Sequence, residues 1–298
     1  MTPDPIKLDR RIAELRDDRR HGASWMARRA VEALDELAAE HRGDCDQMLS
    51  ELRAAGRRLA AARPGVGAVA GAVGRLLAAV QYESHLEPAD LRRVLHEEAV
   101  ALTEGRMRAP ASIAIQLRER VAGAMILTHS NSATVREALK HDGPAKVLCT
   151  VSSPVEEGRT LFEELAAEGI DAELVEDAEA PGRAGQVDLL LLGADTVFRD
   201  GVICNKIGTV PLARAAAGAG IPVVVAAELV KLVPVPGAQA PDLAHFEREL
   251  FELIPAELIS EIATEEGISP ADEIGVVAGR VPFLREGYEL VAPIGATR

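Results

Sequence analysis

Helical spacing governs the first part of the chain. Apolar residues fall three and four apart from Ile12 and Leu15, through Ala27, Ala30, Val31, Leu34 and Leu37, to Met48, Leu49, Leu52 and Leu59. That is the period of helices burying one face. Ser24 reads as an N-cap for the second of them. Pro64 and Gly65 punctuate the series. Val66 to Val80 is a helix of small residues, and Glu87-Pro88-Ala89-Asp90 starts another with Leu91, Val94, Leu95 and Ala99 turned inward. Pro110 is expected to break it before a last helix through Ile113 and Leu117. Near Val121 the pattern changes to short apolar runs at 122–127, 146–151, 171–175, 187–192 and 221–227. Between them lie helical stretches through Val135 and Leu139, from Val155 to Gly169, and from Pro211 to Gly220. This alternation predicts a parallel sheet with helices on both faces. A helix over Pro255 to Glu265 and an edge strand at Tyr288 to Val291 are expected to complete it.

Composition narrows the function classes. The chain has 298 residues, enough for two domains, and a net charge of -14, which argues against general nucleic-acid binding. Aromatic residues are only 3%, so Ala, Leu, Val and Ile must build the core. Cys45, Cys149 and Cys204 lie far apart without metal-ligand spacing, and so sparse a set suits a reducing compartment. The longest apolar stretch is too short to span a membrane. A cytoplasmic protein with no metal and no cofactor is expected.

Chemistry concentrates where the runs end. Leu189-Leu190-Leu191-Leu192 reads as a strand buried on both faces, and Gly193-Ala194-Asp195 follows at once. Ligands of open α/β sheets sit beyond the carboxyl ends of strands, so Asp195 is a candidate for chemistry and a turn-closing cap the alternative. Thr128-His129-Ser130-Asn131-Ser132 ends the first run at the same sheet edge, as a helix cap or as a set of donors to a phosphate. Asn205-Lys206 reads as a helix opening, where a lysine and the helix dipole would favour an anion, with an ordinary surface lysine the alternative. Neither a GxGxxG after the first strand nor a Walker motif is present, and without a GxSxG elbow a Ser-His-Asp hydrolase is disfavoured.

Together these segments resemble the family that contains the alpha, beta and delta subunits of translation initiation factor 2B and two isomerases, of ribose 1,5-bisphosphate and of 5-methylthioribose 1-phosphate. The likeness rests on Ile126 to Ser132, on Ser153-Pro154-Val155-Glu156-Glu157-Gly158-Arg159, and on Gly193-Ala194-Asp195 followed by Asn205-Lys206-Ile207-Gly208-Thr209. Pro255 to Ile259, Gly267-Ile268-Ser269-Pro270, Arg20-His21-Gly22-Ala23 and Arg63-Pro64 extend it. The resemblance implies an α/β protein, with an all-helical domain over 1–118 and a Rossmann-like parallel-sheet domain over 119–298. It also implies a homodimer or higher homo-oligomer, and Leu250, Phe251, Leu253 and Ile254, taken as helical, are expected either to supply the contact or to pack in the core. The catalytic pair it implies is Asp195 and Ser130, where Ser130 stands at the position of the isomerases' cysteine. His129 and Cys204 are candidates to replace that thiol. Arg20, Gly22, Ala23, Arg63, Asn131, Asn205 and Lys206 would bind substrate or phosphate. Two functions follow: a sugar-phosphate-binding aldose–ketose isomerase of the ribose-1,5-bisphosphate type, or a non-catalytic regulatory subunit that binds a sugar phosphate or nucleotide and other initiation factor subunits.

Overall fold

The computed structural model describes residues 5–243 and 247–292. Its first layer is helical: α1 (Pro5–Asp17), α2 (Ala23–Glu40), α3 (Cys45–Ala62), α4 (Gly67–Val80) and α5 (Pro88–Val121). Their inward residues, among them Leu34, Met48, Leu52, Leu76 and Leu95, are wholly buried in one core. The cap of α2 is Gly22 rather than Ser24. Ser24 lies inside the first turn, and its hydroxyl donates to Glu228 Oε1 at 2.7 Å. Pro110 does not break α5, which runs on as a single 34-residue helix. Leu91, Leu95 and Leu102 anchor it in the helical core on one side of the proline, and Ile113, Leu117 and Val121 in the sheet core on the other. Packing at both ends outweighs one missing backbone bond.

The second part begins with β1 (Met125–Thr128), α6 (Ala133–Asp142), β2 (Lys146–Thr150), α7 (Glu157–Ala167) and β3 (Ala172–Val175). The short α8 (Ala180–Arg183) precedes β4 (Leu189–Gly193). Next come β5 (Thr196–Phe198), β6 (Ile203–Lys206), α9 (Thr209–Gly218), β7 (Val223–Ala226), β8 (Leu232–Val233) and β9 (Phe251–Ile254). The described chain closes with β10 (Glu261–Thr264), β11 (Gly267–Pro270), α10 (Ile274–Arg280) and α11 (Pro282–Val291). The main sheet has the order β11-β10-β7-β4-β1-β2-β3, parallel throughout except for the antiparallel β10–β11 pair. Leaving β11 aside, that is the doubly wound, Rossmann-like order, and the direction of winding reverses between β1 and β4.

The four leucines of β4 explain why it lies in the middle. Leu189 and Leu191 pack with Ile113, Leu117, Val135 and Leu161 on one face, while Leu190 and Leu192 pack with Leu212, Ala216 and Leu284 on the other. A strand covered on both sides needs no polar alternation.

A smaller sheet, β8-β5-β6-β9, stands beside the main one, built from strands too short for the apolar pattern to mark. Asn205 and Lys206 end strand β6 rather than opening a helix; α9 starts three residues later, after Gly208. Leu250 is a turn residue, and Phe251, Leu253 and Ile254 lie in β9, paired antiparallel to β6, so the helix expected there is a strand. The stretch 255–265 holds a short 3-10 turn and then β10, whose Ile262 sits opposite Val225 in β7, because the exposed side of β7 needs a partner. Tyr288 to Val291 end helix α11, not an edge strand. That helix packs back on α4, with the backbones of Gly74 and Gly287 in contact.

Candidate functional site

Strands β1 and β4 end side by side at the reversal of the sheet, and a cleft of about 450 Å³ lies between that point and the start of α2. Arg20, Gly22, Ala23, Arg63, Ser130, Asn131, Asp195, Asn205 and Lys206 all line it. So do Glu157 and Lys231, two residues beyond those expected from sequence.

Local chemistry fixes the Ser130 turn. Ser130 adopts a left-handed backbone, φ 70°, unusual outside glycine and strained unless its neighbours hold it. They do so through a chain of hydrogen bonds. Ser130 N–H donates to Ser152 Oγ at 2.7 Å, Ser152 and Thr150 share a bond of 2.8 Å, and Thr150 Oγ lies 2.7 Å from His129 Nδ1. His129 Nε2 meets the carbonyl of Ile207 at 2.9 Å. A carbonyl can only accept, so Nε2 carries the proton and Nδ1 accepts from Thr150. Asp177 ties the far end by accepting from the N–H groups of Ser152 and Ser153, both at 2.7 Å. Burial pushes the His129 imidazole below its usual range, against the pull of the Ile207 carbonyl. His129 is therefore neutral, has both nitrogens engaged, and cannot stand in for a thiol. Cys204 fails too, since it is buried beside Phe198 and Val233, does not line the cleft, and burial pushes its thiol well up.

Asp195 follows β4. Gly193 permits the approach, because a Cβ there would lie 2.6 Å from both the Cβ and the Oγ of Ser132. Asp195 N–H donates to Cys204 O at 2.9 Å, while its carboxylate accepts no hydrogen bond from any described side chain. Burial pushes its carboxyl above the ordinary range, although Lys231, Lys206 and Arg63 all pull the other way. Such a carboxyl is suited to taking up and returning a proton.

Positive charge is unevenly committed. Lys206 Nζ pairs with Glu157 Oε1 at 2.7 Å. Arg63 is 2% exposed, lies 3.3 Å from Glu247, and donates to the carbonyls of Leu15 and Asp18, so it braces the loop that leads to Arg20. Asn205 is buried and donates to Thr209. The start of α9, the anion site expected beside Lys206, is already filled by Glu252, whose Oε1 accepts from the N–H groups of Gly208 and Val210 at 2.8 and 2.9 Å. The start of α2 differs. Gly22 offers no capping side chain and the first turn holds no acidic residue, so no side chain caps its N–H groups, and Arg20, Gly22 and Ala23 line the cleft there. The Ser24–Glu228 bond holds the turn Leu229–Lys231 against it. Lys231 is 5% exposed and makes no side-chain hydrogen bond or ion pair among the described residues. Its signal in sequence was faint, a single cation inside the apolar run Leu229 to Val233. Among the described residues no cluster suited to a metal occurs, and no helix is long and apolar enough to cross a membrane.

A helical layer set on a doubly wound sheet, with a charged cleft at the winding reversal, defines the class. The chain belongs to the Initiation factor 2 subunit family, whose pattern matches residues 19–247. It is 30% identical to a Pyrococcus furiosus protein named as translation initiation factor eIF-2B subunit 2-like, over 89% of this chain and 96% of that one. It is 28% identical to the ribose 1,5-bisphosphate isomerase of Methanocaldococcus jannaschii, over 84% and 87% of the two chains. With the methylthioribose-1-phosphate isomerase of Desulforudis audaxviator it shares 30% identity, over 78% and 77%. Among solved structures, a Pyrococcus horikoshii translation initiation factor eIF-2B superposes with a TM-score of 0.76 at 27% identity, covering 90% of this chain and 98% of that one.

Proposed function

We propose that this protein binds a pentose phosphate in the cleft and isomerises it from aldose to ketose. The observation that carries the reading is Asp195, a carboxyl just after β4 that accepts no side-chain hydrogen bond among the described residues and whose pKa burial raises. Asp195 is the base that moves a proton from C2 to C1 of the opened sugar. Ser130 donates a hydrogen bond to a sugar oxygen. Arg20, Lys231 and the N–H groups at Gly22 and Ala23 hold the phosphoryl group, which suits the open start of α2. Asn131, Asn205 and Lys206 line the sugar, and Arg63 supports the Arg20 loop from beneath. The protein works in the cytoplasm as a homo-oligomer.

A second reading is favoured by one specific observation. The side chain at the position of the isomerases' cysteine is Ser130, a far weaker acid than a thiol. On that reading the cleft senses a sugar phosphate or nucleotide without converting it, within an assembly of initiation factor subunits. The test is turnover and binding measured side by side, with ribose 1,5-bisphosphate and 5-methylthioribose 1-phosphate as substrates. Conversion of either supports the enzyme; binding of either without conversion at high protein concentration leaves the sensor.

A further inference from the structure

Glu157 opens α7 and reaches into the cleft. Its Oε1 lies 2.7 Å from Lys206 Nζ and 2.7 Å from Ser130 Oγ, which donates to it. Its Oε2 is buried and has no hydrogen-bond partner among the described residues. One end of the cleft therefore already holds an anion, seated on a cation and a hydroxyl that a phosphoryl group would otherwise use. The start of α2, which lines the same cleft beside Arg20, has no acidic residue in its own first turn, and Glu228, which accepts from Ser24 there, does not line the cleft.

We propose that Glu157 sets the charge specificity of the cleft, so that it accepts a sugar carrying one phosphoryl group and discriminates against a bisphosphate. The inference rests on the sugar-phosphate reading above. A single phosphate docks at the start of α2, and the neutral hydroxyls of the sugar face Glu157 and Ser130. A second phosphate gains nothing comparable. To reach Lys206 it must break a pair whose side chains are only 8% and 19% exposed. If it leaves the pair intact, it sits beside a carboxylate of the same sign where water screens poorly. Glu157 also lies in the first turn of α7, where the helix dipole favours a carboxylate whether or not a ligand binds. That stabilising role predicts no change in ligand preference, which separates the two.

The experiment is calorimetric titration of the full chain with ribose 5-phosphate and with ribulose 1,5-bisphosphate, at one fixed salt concentration, on the wild type, Glu157→Gln and Glu157→Ala. The preference between two ligands is read within each protein, so a partly unfolded variant does not distort it. In the wild type the monophosphate is expected to bind at least about tenfold tighter, and both variants to gain about tenfold or more for the bisphosphate while changing little for the monophosphate. A wild type that prefers the bisphosphate, or variants that keep the wild-type preference, overturns the proposal. If the wild type binds neither ligand, the sugar-phosphate reading falls and the inference falls with it.

Discussion

At the scale of single residues, the cleft separates groups that hold shape from groups free to react. Asp195→Asn keeps the shape and loses the base, so turnover is expected to fall about 10²–10⁴-fold with binding largely intact. Because burial raises the Asp195 pKa, the acid limb of the rate profile is expected above the ordinary aspartate value of about 3.9, and rate against pH on the wild type checks this. Ser130→Cys is expected to preserve or raise the rate and Ser130→Ala to lower it less than the Asp195 change does. His129 gives a stability prediction of definite sign. Its folded pKa is depressed, so on acidification the unfolded chain takes up the proton first. The stability from neutral His129 is present above about 6.5, the unfolded value, and declines as pH falls from there toward the lower folded value. Denaturant midpoints at pH 7.5 and 5.5 are expected to differ less in His129→Gln than in the wild type. Asp195 and the Thr128–Ser132 turn were legible in sequence because both end strong apolar runs. Glu157 appeared there only as a letter in a motif, and its contact with Lys206 depends on how α7 meets β6.

At the scale of elements, legibility followed length and burial. The five main strands were visible because each is a compact apolar run bounded by turns. The small sheet was not, because β5, β6 and β8 are two to four residues long and β6 ends in Asn205 and Lys206, whose polarity argues against a buried strand. In β9, Phe251, Leu253 and Ile254 carry no period that separates helix from strand, and pairing with β6 decided the matter. The junction of β4 and α6 yields a prediction. A methyl group at Gly193 meets Ser132, the cap of α6, at 2.6 Å, so Gly193→Ala is expected to cost about 1–3 kcal/mol in a urea melt. Changing Gly182, which has open space around it, is expected to cost less.

At the scale of the whole molecule, the meeting of Gly22, Arg63, Ser130, Asp195, Asn205 and Lys206 in one cleft required the helical layer to lie over the sheet. The sequence supported that arrangement only through resemblance, since nothing in its periodicity orients one layer on the other. Association belongs to this scale as well. Strand β9 ends the small sheet with Leu253 42% exposed, an edge open to pairing. Sedimentation at micromolar concentration is expected to give at least twice the 31.6 kDa of one chain, and Leu253→Asp to weaken that association if the edge forms the contact.

The return of α11 to α4 bears on the order in which the protein is made. Leu290 and Val291 pack with the helical core built mainly from residues 15–102, and Gly287 abuts Gly74. A ribosome delivers α4 long before it delivers α11. Until the last helix emerges, the small-residue face of α4 has no cover, and the first layer stays unfinished while the whole sheet is synthesised. The nascent chain thus cannot complete its parts one after the other, and a chaperone that shields apolar helix surface has its longest opportunity at α4.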